Sequence, residues 1–275
     1  MAEGVTSKSG LVLATQVAQE TALRKSPNGI HFAAFGENGL DDGELARLVQ
    51  AVPSTVASAL ARKTYYFVPL ALAEGRGGPA GHRSGNEATM ISPTYSSELA
   101  ELAICHRNVA LAAGMGGSED GGEGVFISTR LLSDRFSLAF ELFINVGHAF
   151  VGEAGVSEAF AELVWNQATA DVRGETSQDA WESRGLALGI SENATRDGKQ
   201  RIDEKAKTDF LEAAFSDAAA IYMLSLAVDF DYSELREREY PLLAPQALAE
   251  RLRLVARLFP PNPDYEFAIR YRRRP

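Results

Sequence analysis

The sequence predicts a helix-rich α+β fold in which a small mixed sheet packs on one buried central helix. The stretch Ser133–Glu162 holds the most apolar run of the chain, and about 18 residues without a proline favour a helix that is buried almost all round. Short runs rich in aromatic and β-branched residues precede it, as in Thr64–Leu72, and favour buried strands. A second long apolar run, Asp209–Val228, follows it. We therefore place the central helix at about Leu131–Val151.

In the first half of the chain, helices and strands are expected to alternate, with proline and glycine marking their ends. Pro53 should break or kink one helix, and Pro69 should place the end of one strand near an edge or bulge. The expected elements are a helix at Val12–Arg24, a strand at Ile30–Phe35, a helix from Asp41 or Asp42 to about Ala61, strands at Thr64–Leu72 and Thr89–Ser92, a helix at Glu98–Ala113 capped by Ser96 or Ser97, and a strand at Val125–Ser128. Glu74–Glu87 and Gly114–Gly124 are expected to be loops.

The second half is expected to be helical. Ser157 should cap a helix at Glu158–Thr169, and Asp209–Val228 and Gln246–Phe259 should form two more. The strongly polar residues 171–206 indicate a surface excursion, with one helical turn around Ala180–Leu188. We expect residues 1–275 to form a single domain.

Composition excludes several classes of function. A formal net charge of −10 and a pI near 5.0 argue against nucleic acid or an anionic membrane as partner, because phosphate binding requires a positive surface. The single cysteine, Cys105, excludes an intrachain disulfide and a cysteine-based zinc cage. The N-terminal residues lack the pattern of a signal peptide. We expect a soluble, cytoplasmic protein.

The central helix carries a polar face. Glu141, Asn145 and His148 are spaced i, i+4 and i+7, so they share one side of the helix. Polar groups within an apolar helix require partners. Glu141 is one candidate partner of His148, and such a buried pair would be either structural or a remnant of a site.

The string Ile144–Phe150, INVGHAF, resembles the active-site helix of zincin metallopeptidases, H-E-x-x-H, which is often followed by A-F. Aligned on His148, Ile144 stands where the first zinc histidine would be and Asn145 where the catalytic glutamate would be. An isoleucine cannot bind metal, and an amide does not act as a base. The resemblance implies a zincin-like fold whose catalytic positions Ile144 and Asn145 are degenerate.

In the glutamate branch of the zincins, the third zinc ligand comes from a later helix. Two later helices carry embedded carboxylates, Glu158 and Glu162 on one, Glu212 and Asp217 on the other. We expect His148 to face the helix with Glu212 and Asp217, or failing that the helix with Glu158 and Glu162, because long apolar helices in one core should pack together.

The resemblance leads to three alternative functions. The first is a zincin-like protein that has lost peptidase activity, needs no cofactor and acts by binding or assembly with an unknown protein or peptide. The second is a metal-dependent hydrolase with a non-standard ligand set, in which His148 with Glu212 or Asp217 would bind zinc. The third is an α+β scaffold protein without catalysis and without an ancestral link to peptidases.

Two further sets of residues could carry chemistry. His82, His106 and His148 could together form a different metal site, although no spacing supports it. Cys105 and His106 are adjacent, and in the expected helix their side chains would point about 100° apart, too far for a nucleophile pair.

Overall fold

The computed structural model describes residues 10–73, 89–189, 202–232 and 240–270, and these form a mixed α+β fold. The chain divides into two compact units. We call Met1–Gln50 with Leu60–Glu141 the sheet unit, and Ala51–Ala59 with Leu142–Pro275 the helical unit. Whether the chain behaves as the single domain expected from the sequence stays a prediction.

The elements of the described residues are, in chain order, β1 (Val12–Leu13), α1 (Ala14–Glu20), β2 (Arg24–Lys25), β3 (His31–Ala34), α2 (Asp42–Gln50), α3 (Ser54–Ala59), β4 (Lys63–Val68), β5 (Leu70–Ala73), β6 (Thr89–Ser92), α4 (Ser97–Ala100), β7 (Ala103–Ile104), β8 (His106–Leu111), β9 (Gly122–Ser128), α5 (Arg135–Ala154), α6 (Glu158–Thr169), α7 (Gln178–Ala187), α8 (Glu204–Ala227) and α9 (Pro245–Leu258). The expected central helix is α5, and it is buried at Leu138, Ala139, Leu142, Phe143, Val146, Phe150 and Val151. The predicted fold class is confirmed.

The sheet unit contains the predicted mixed sheet and a second, antiparallel one. The mixed sheet has the order β2-β3-β4-β9-β8, with β3, β4 and β9 parallel. Tyr66 of β4 stacks on Phe126 of β9 with 4.6 Å between ring centroids. At Pro69 the chain leaves β4 and enters the second sheet, which has the order β1-β6-β5-β7. The aromatic run predicted as one strand therefore serves two sheets.

The early helix boundaries follow local sequence signals. The expected break at Pro53 is confirmed, since α2 ends at Gln50 and α3 begins at Ser54. The Asp41 carboxylate accepts hydrogen bonds from the amides of Gly43 and Glu44 and so caps α2. The predicted helix Val12–Arg24 is shorter than expected, because its two ends pair as β1 with β6 and β2 with β3.

The predicted helix Glu98–Ala113 is wrong. Only Ser97–Ala100 are helical, and β7 and β8 follow. Along β8 the exposure alternates from residue to residue, and all six residues pair antiparallel with β9 from His106↔Ile127 to Leu111↔Gly122. Pairing with a neighbouring strand thus outweighs the local helical spacing of the apolar residues.

The helical unit is built around α8 and a cluster of aromatic rings. Phe150 of α5, Phe160 of α6, Phe215 of α8 and Phe259 meet with centroid distances from 4.7 to 6.3 Å. Ser157 accepts a hydrogen bond from the Phe160 amide, which confirms the predicted cap of α6. The predicted helices at Asp209–Val228 and Gln246–Phe259 are α8 and α9.

Among the described residues, α8 alone is long and apolar enough to cross a membrane. Its most apolar window is 67% buried inside the protein, as in the core helix of a soluble domain.

The polar stretch 171–206 does not form the expected surface excursion where it is described. Glu175, Thr176 and Arg184 are buried, and α7 packs against α8. Glu175 pairs with Arg184 and with Arg251 of α9, and Thr176 donates a hydrogen bond to Asp217 of α8. Residues 190–201, like the expected loop Glu74–Glu87, lie outside the described residues.

Candidate functional site

His148 lies in a groove of the helical unit that is formed by three helices. The groove has a volume of about 530 Å³. Its walls are His148, Val151 and Gly152 of α5, Asp179, Glu182, Ser183 and Leu186 of α7, and Asp209, Glu212, Ala213 and Ser216 of α8. The expectation that His148 faces the helix with Glu212 agrees with this arrangement. His148 and Glu212 are both exposed, however, so neither is the buried group expected from the sequence.

Gly147 allows α5 to approach α8 beside this groove. A Cβ atom added at Gly147 would lie 2.6 Å from the carbonyl oxygen of Ser216. Only a residue without a side chain fits so close to the backbone of the neighbouring helix. The close approach at Gly147 brings His148 next to the exposed face of α8.

The carboxylates of the groove differ in their partners. Asp209 pairs with Lys205 at 2.6 Å, and Glu182 accepts a hydrogen bond from the side-chain amide of Gln178. Within the described part of the chain, no ion pair engages Asp179 or Glu212. The groove therefore presents negative charge to solvent next to one imidazole.

The other residues predicted on the central helix do not join this groove. Ile144 and Asn145 are half-buried on α5. Glu141 lies in the sheet unit, where its Oε1 is 2.6 Å from Nδ1 of His106 on β8. Glu141 thus pairs with His106, a partner that the sequence did not suggest, because residues 106–111 were expected to be helical.

The carboxylates of the two later helices also separate. Glu158 and Glu162 are exposed on α6 and do not line the groove. Asp217 lies on another face of α8 from Glu212, since five helical residues rotate a side chain by about 140° away from its starting direction. Asp217 is buried, and its Oδ2 accepts a hydrogen bond of 2.8 Å from Thr176.

The groove does not fit a zincin metal centre. Ile144 has no donor atom, and within residues 10–73, 89–189, 202–232 and 240–270 no group of three or more His, Cys, Asp or Glu side chains is arranged to hold a metal ion. The alternative set with His82 cannot be placed, because His82 lies outside the described residues. The ionisable groups of the groove instead lie spread over α5, α7 and α8.

The strand structure around Cys105 and His106 also gives no nucleophile pair. Cys105 lies at the bend between β7 and β8, and His106 begins β8. Partial burial, together with the charge of Glu141, raises the pKa of the Cys105 thiol. A catalytic thiol requires the opposite shift.

A buried polar network that the sequence did not predict connects α6, α7 and α9 in the helical unit. Glu175 binds Arg251 of α9 at 2.9 Å and Arg184 of α7 at 3.2 Å, and Arg251 also donates to Gln167 of α6 at 2.8 Å. Glu175 and Arg251 are completely buried. Each buried charge thus has an opposite charge, which burial requires.

Asp217 lies beside this network and titrates abnormally. Burial is the main cause and raises the pKa of Asp217 to about 6, although hydrogen bonds from Ser177 and Thr176 and the charge of Arg251 act in the opposite direction. The nearby Glu175 raises the Asp217 pKa further.

We expect Asp217 to make the folded protein less stable as the pH rises from about 4 to about 6. Because the folded state binds this proton more tightly than the unfolded chain, the contribution of Asp217 is fully present below the unfolded pKa and is lost through the folded pKa. The loss should be on the order of 2–3 kcal/mol in free energy of unfolding. Urea unfolding of wild type and Asp217→Asn between pH 4 and pH 7 measures this loss. The prediction would be contradicted if the free energy of unfolding changed with pH in the same way in both proteins.

Comparison of the chain with protein-family models, with curated proteins and with solved structures finds no significant match.

Proposed function

We propose that this protein is a zincin-like binding protein without peptidase chemistry, and that its groove between α5, α7 and α8 takes a cationic side chain of a protein or peptide partner. The observation that carries the proposal is the juxtaposition of His148 with Asp179 and Glu212 in one open groove. The replacements at Ile144 and Asn145 support the loss of hydrolysis, because the histidine ligand and the general base of zincins have no counterpart there.

The charge of the groove supports the choice of partner. Two of its carboxylates form no ion pair with a described residue, and the chain as a whole carries a net charge of −10. A lysine or arginine side chain entering the groove would gain favourable charge interactions and faster encounter at low ionic strength. Leu186 and Val151 on the walls would contact the methylene stem of such a side chain.

The binding test uses the full chain and a short capped peptide of alternating lysine and alanine, with an acetyl-lysine version as the uncharged match. We expect saturable binding of the lysine peptide by fluorescence anisotropy. The double substitution Asp179→Asn with Glu212→Gln should weaken this binding by about two- to thirtyfold, since exposed charge pairs contribute roughly 0.2–1 kcal/mol each.

Glu162→Gln is the matched control, because it removes one exposed carboxylate of α6 that lies outside the groove. The affinity of this variant for the lysine peptide should stay near that of wild type. Equal binding of the lysine and acetyl-lysine peptides, or equal affinity of the double variant and wild type, would exclude the groove as the binding site.

The alternative of a metal-dependent hydrolase, in which His148 with Glu212 or Asp217 would bind zinc, stays a prediction; within the described residues no group of three or more ligands is arranged to hold a metal ion. Elemental analysis of dialysed protein separates it from the binding function. Stoichiometric zinc that is retained on dialysis, together with peptide hydrolysis lost in His148→Ala, would favour the hydrolase.

A further inference from the structure

A second cavity lies in the sheet unit, where parallel strands β3 and β9 end. It has a volume of about 510 Å³ and is lined by the loops that follow these strands, by Tyr95 after β6, by residues of α2 and by the first turn of α5. Crevices outside the carboxyl ends of parallel strands are common ligand sites, because the connecting loops diverge there. The volume also falls within the usual range for small-molecule pockets.

The loops that form this cavity are held in place by hydrogen bonds. Thr129 after β9 donates its hydroxyl proton to the carbonyl oxygen of Asn38 after β3, at 2.7 Å. The Asn38 side chain accepts from the Leu40 amide at 2.9 Å, and the Glu37 amide donates to the Pro93 carbonyl at 2.8 Å. A ligand would meet a wall that is already formed, which lowers the entropic cost of binding.

Arg130 lies in this wall. Its guanidinium carbon Cζ is 5.9 Å from the centroid of the Tyr95 ring. Within the described part of the chain it has neither an ion pair nor a hydrogen-bond acceptor. Gly39 makes room for it, because a Cβ atom there would lie 2.6 Å from Nη1 of Arg130.

The neighbouring charges are each engaged in local structure. One oxygen of Asp41 caps α2, and one oxygen of Asp134 accepts from the Ser137 amide at 2.7 Å and caps α5. Arg135 faces Glu44 at 3.7 Å. Arg130 is therefore a cation of this cavity that has no carboxylate partner within the described residues, while Asp41 and Asp134 keep their negative charge.

Part of the lining of the cavity is apolar. Leu45 and Leu48 of α2 and Leu138 of α5 line it, and each of them is at least 93% buried. A guanidinium and leucine side chains in the lining of one cavity fit a molecule that has one anionic group and one apolar part.

We propose that this cavity binds a small amphipathic anion, with a carboxylate or phosphate on Arg130 and an apolar body against Leu45, Leu48 and Leu138. The planar guanidinium presents paired N–H donors that match both oxyanions. The site is separate from the His148 groove and does not depend on the function proposed for it.

The test is isothermal titration of the full chain with octanoate, octyl phosphate and the uncharged octanamide, all below their micelle concentrations. We expect octanoate, octyl phosphate or both to bind at one saturable site, and octanamide to bind at least about tenfold more weakly, because it lacks the charge-assisted hydrogen bonds. Arg130→Gln should abolish this preference for the anion. Arg62→Gln, which removes an exposed arginine outside the cavity, should leave it unchanged.

Whichever anionic probe binds identifies the oxyanion that the cavity prefers. The proposal is overturned if no probe binds saturably, if octanamide binds as tightly as the anions, or if Arg130→Gln keeps the affinity of wild type.

Discussion

Gly147→Ala is expected to lower the free energy of unfolding by about 2 kcal/mol or more, despite the better helix propensity of alanine. The new methyl group would lie 2.6 Å from the Ser216 carbonyl oxygen and 3.3 Å from its carbon, which are backbone atoms inside α8. Neither atom can move as the end of a flexible side chain would. The two helices would have to separate, and the packing of Phe150 on Phe215 would loosen with them.

Gly152→Ala on the same helix is the matched control. A Cβ atom at Gly152 would meet nothing within 4 Å, so this change should stabilise the protein by up to about 1 kcal/mol. Urea unfolding of the two variants and wild type measures both effects. Similar midpoints for Gly147→Ala and Gly152→Ala would show that the close approach of α5 and α8 is not required. Loosening this approach should also weaken binding in the His148 groove.

The long helices could be predicted because their signals are local. The apolar runs of α5 and α8 exceed the length of a strand, Ser157 caps α6 through its own side chain, and Pro53 excludes a continuous helix. Each of these effects acts over a few residues. Their agreement with the structure therefore requires no knowledge of the tertiary fold.

The strand β8 could not be predicted by the same reasoning. Residues 98–113 carry apolar side chains at helical spacing, yet His106–Leu111 pair with β9 along their whole length. The preference for strand arises from the partner, and a single sequence does not show which segments become neighbours. For this reason the Glu141–His106 pair could not be predicted from the sequence.

The candidate site was predicted in part. Packing of two long apolar helices suggested that His148 would face the helix with Glu212, and both residues line the groove. Asp179 and Glu182 were missed, because the polar stretch that contains them was expected to be a surface excursion. Glu175 in this stretch is buried because it pairs with Arg251, which lies 76 residues later in the chain. A pairing over such a distance leaves no local pattern in the sequence.

Arg251→Met should be among the most destabilising single substitutions in this protein, at about 3–5 kcal/mol. Arg251 is fully buried and binds Glu175 at 2.9 Å and Gln167 at 2.8 Å. Methionine fills similar space but leaves the Glu175 carboxylate with Arg184 as its remaining cation and leaves the Gln167 oxygen without this donor. One buried cation, Arg184, would then be left to compensate the buried carboxylates Glu175 and Asp217, so part of the negative charge loses the compensation that burial requires.

The control for this substitution is Arg257→Met, on the same helix but exposed, which should cost less than about 1 kcal/mol. A second measurement tests the mechanism. Arg251 lowers the pKa of Asp217, so its removal should raise that pKa above about 6 and extend the loss of stability to higher pH. Unfolding midpoints for the two variants between pH 4 and pH 8 give both quantities. Equal stabilities, or an unchanged pH dependence in Arg251→Met, would show that the network does not hold the helical unit together as the contacts imply.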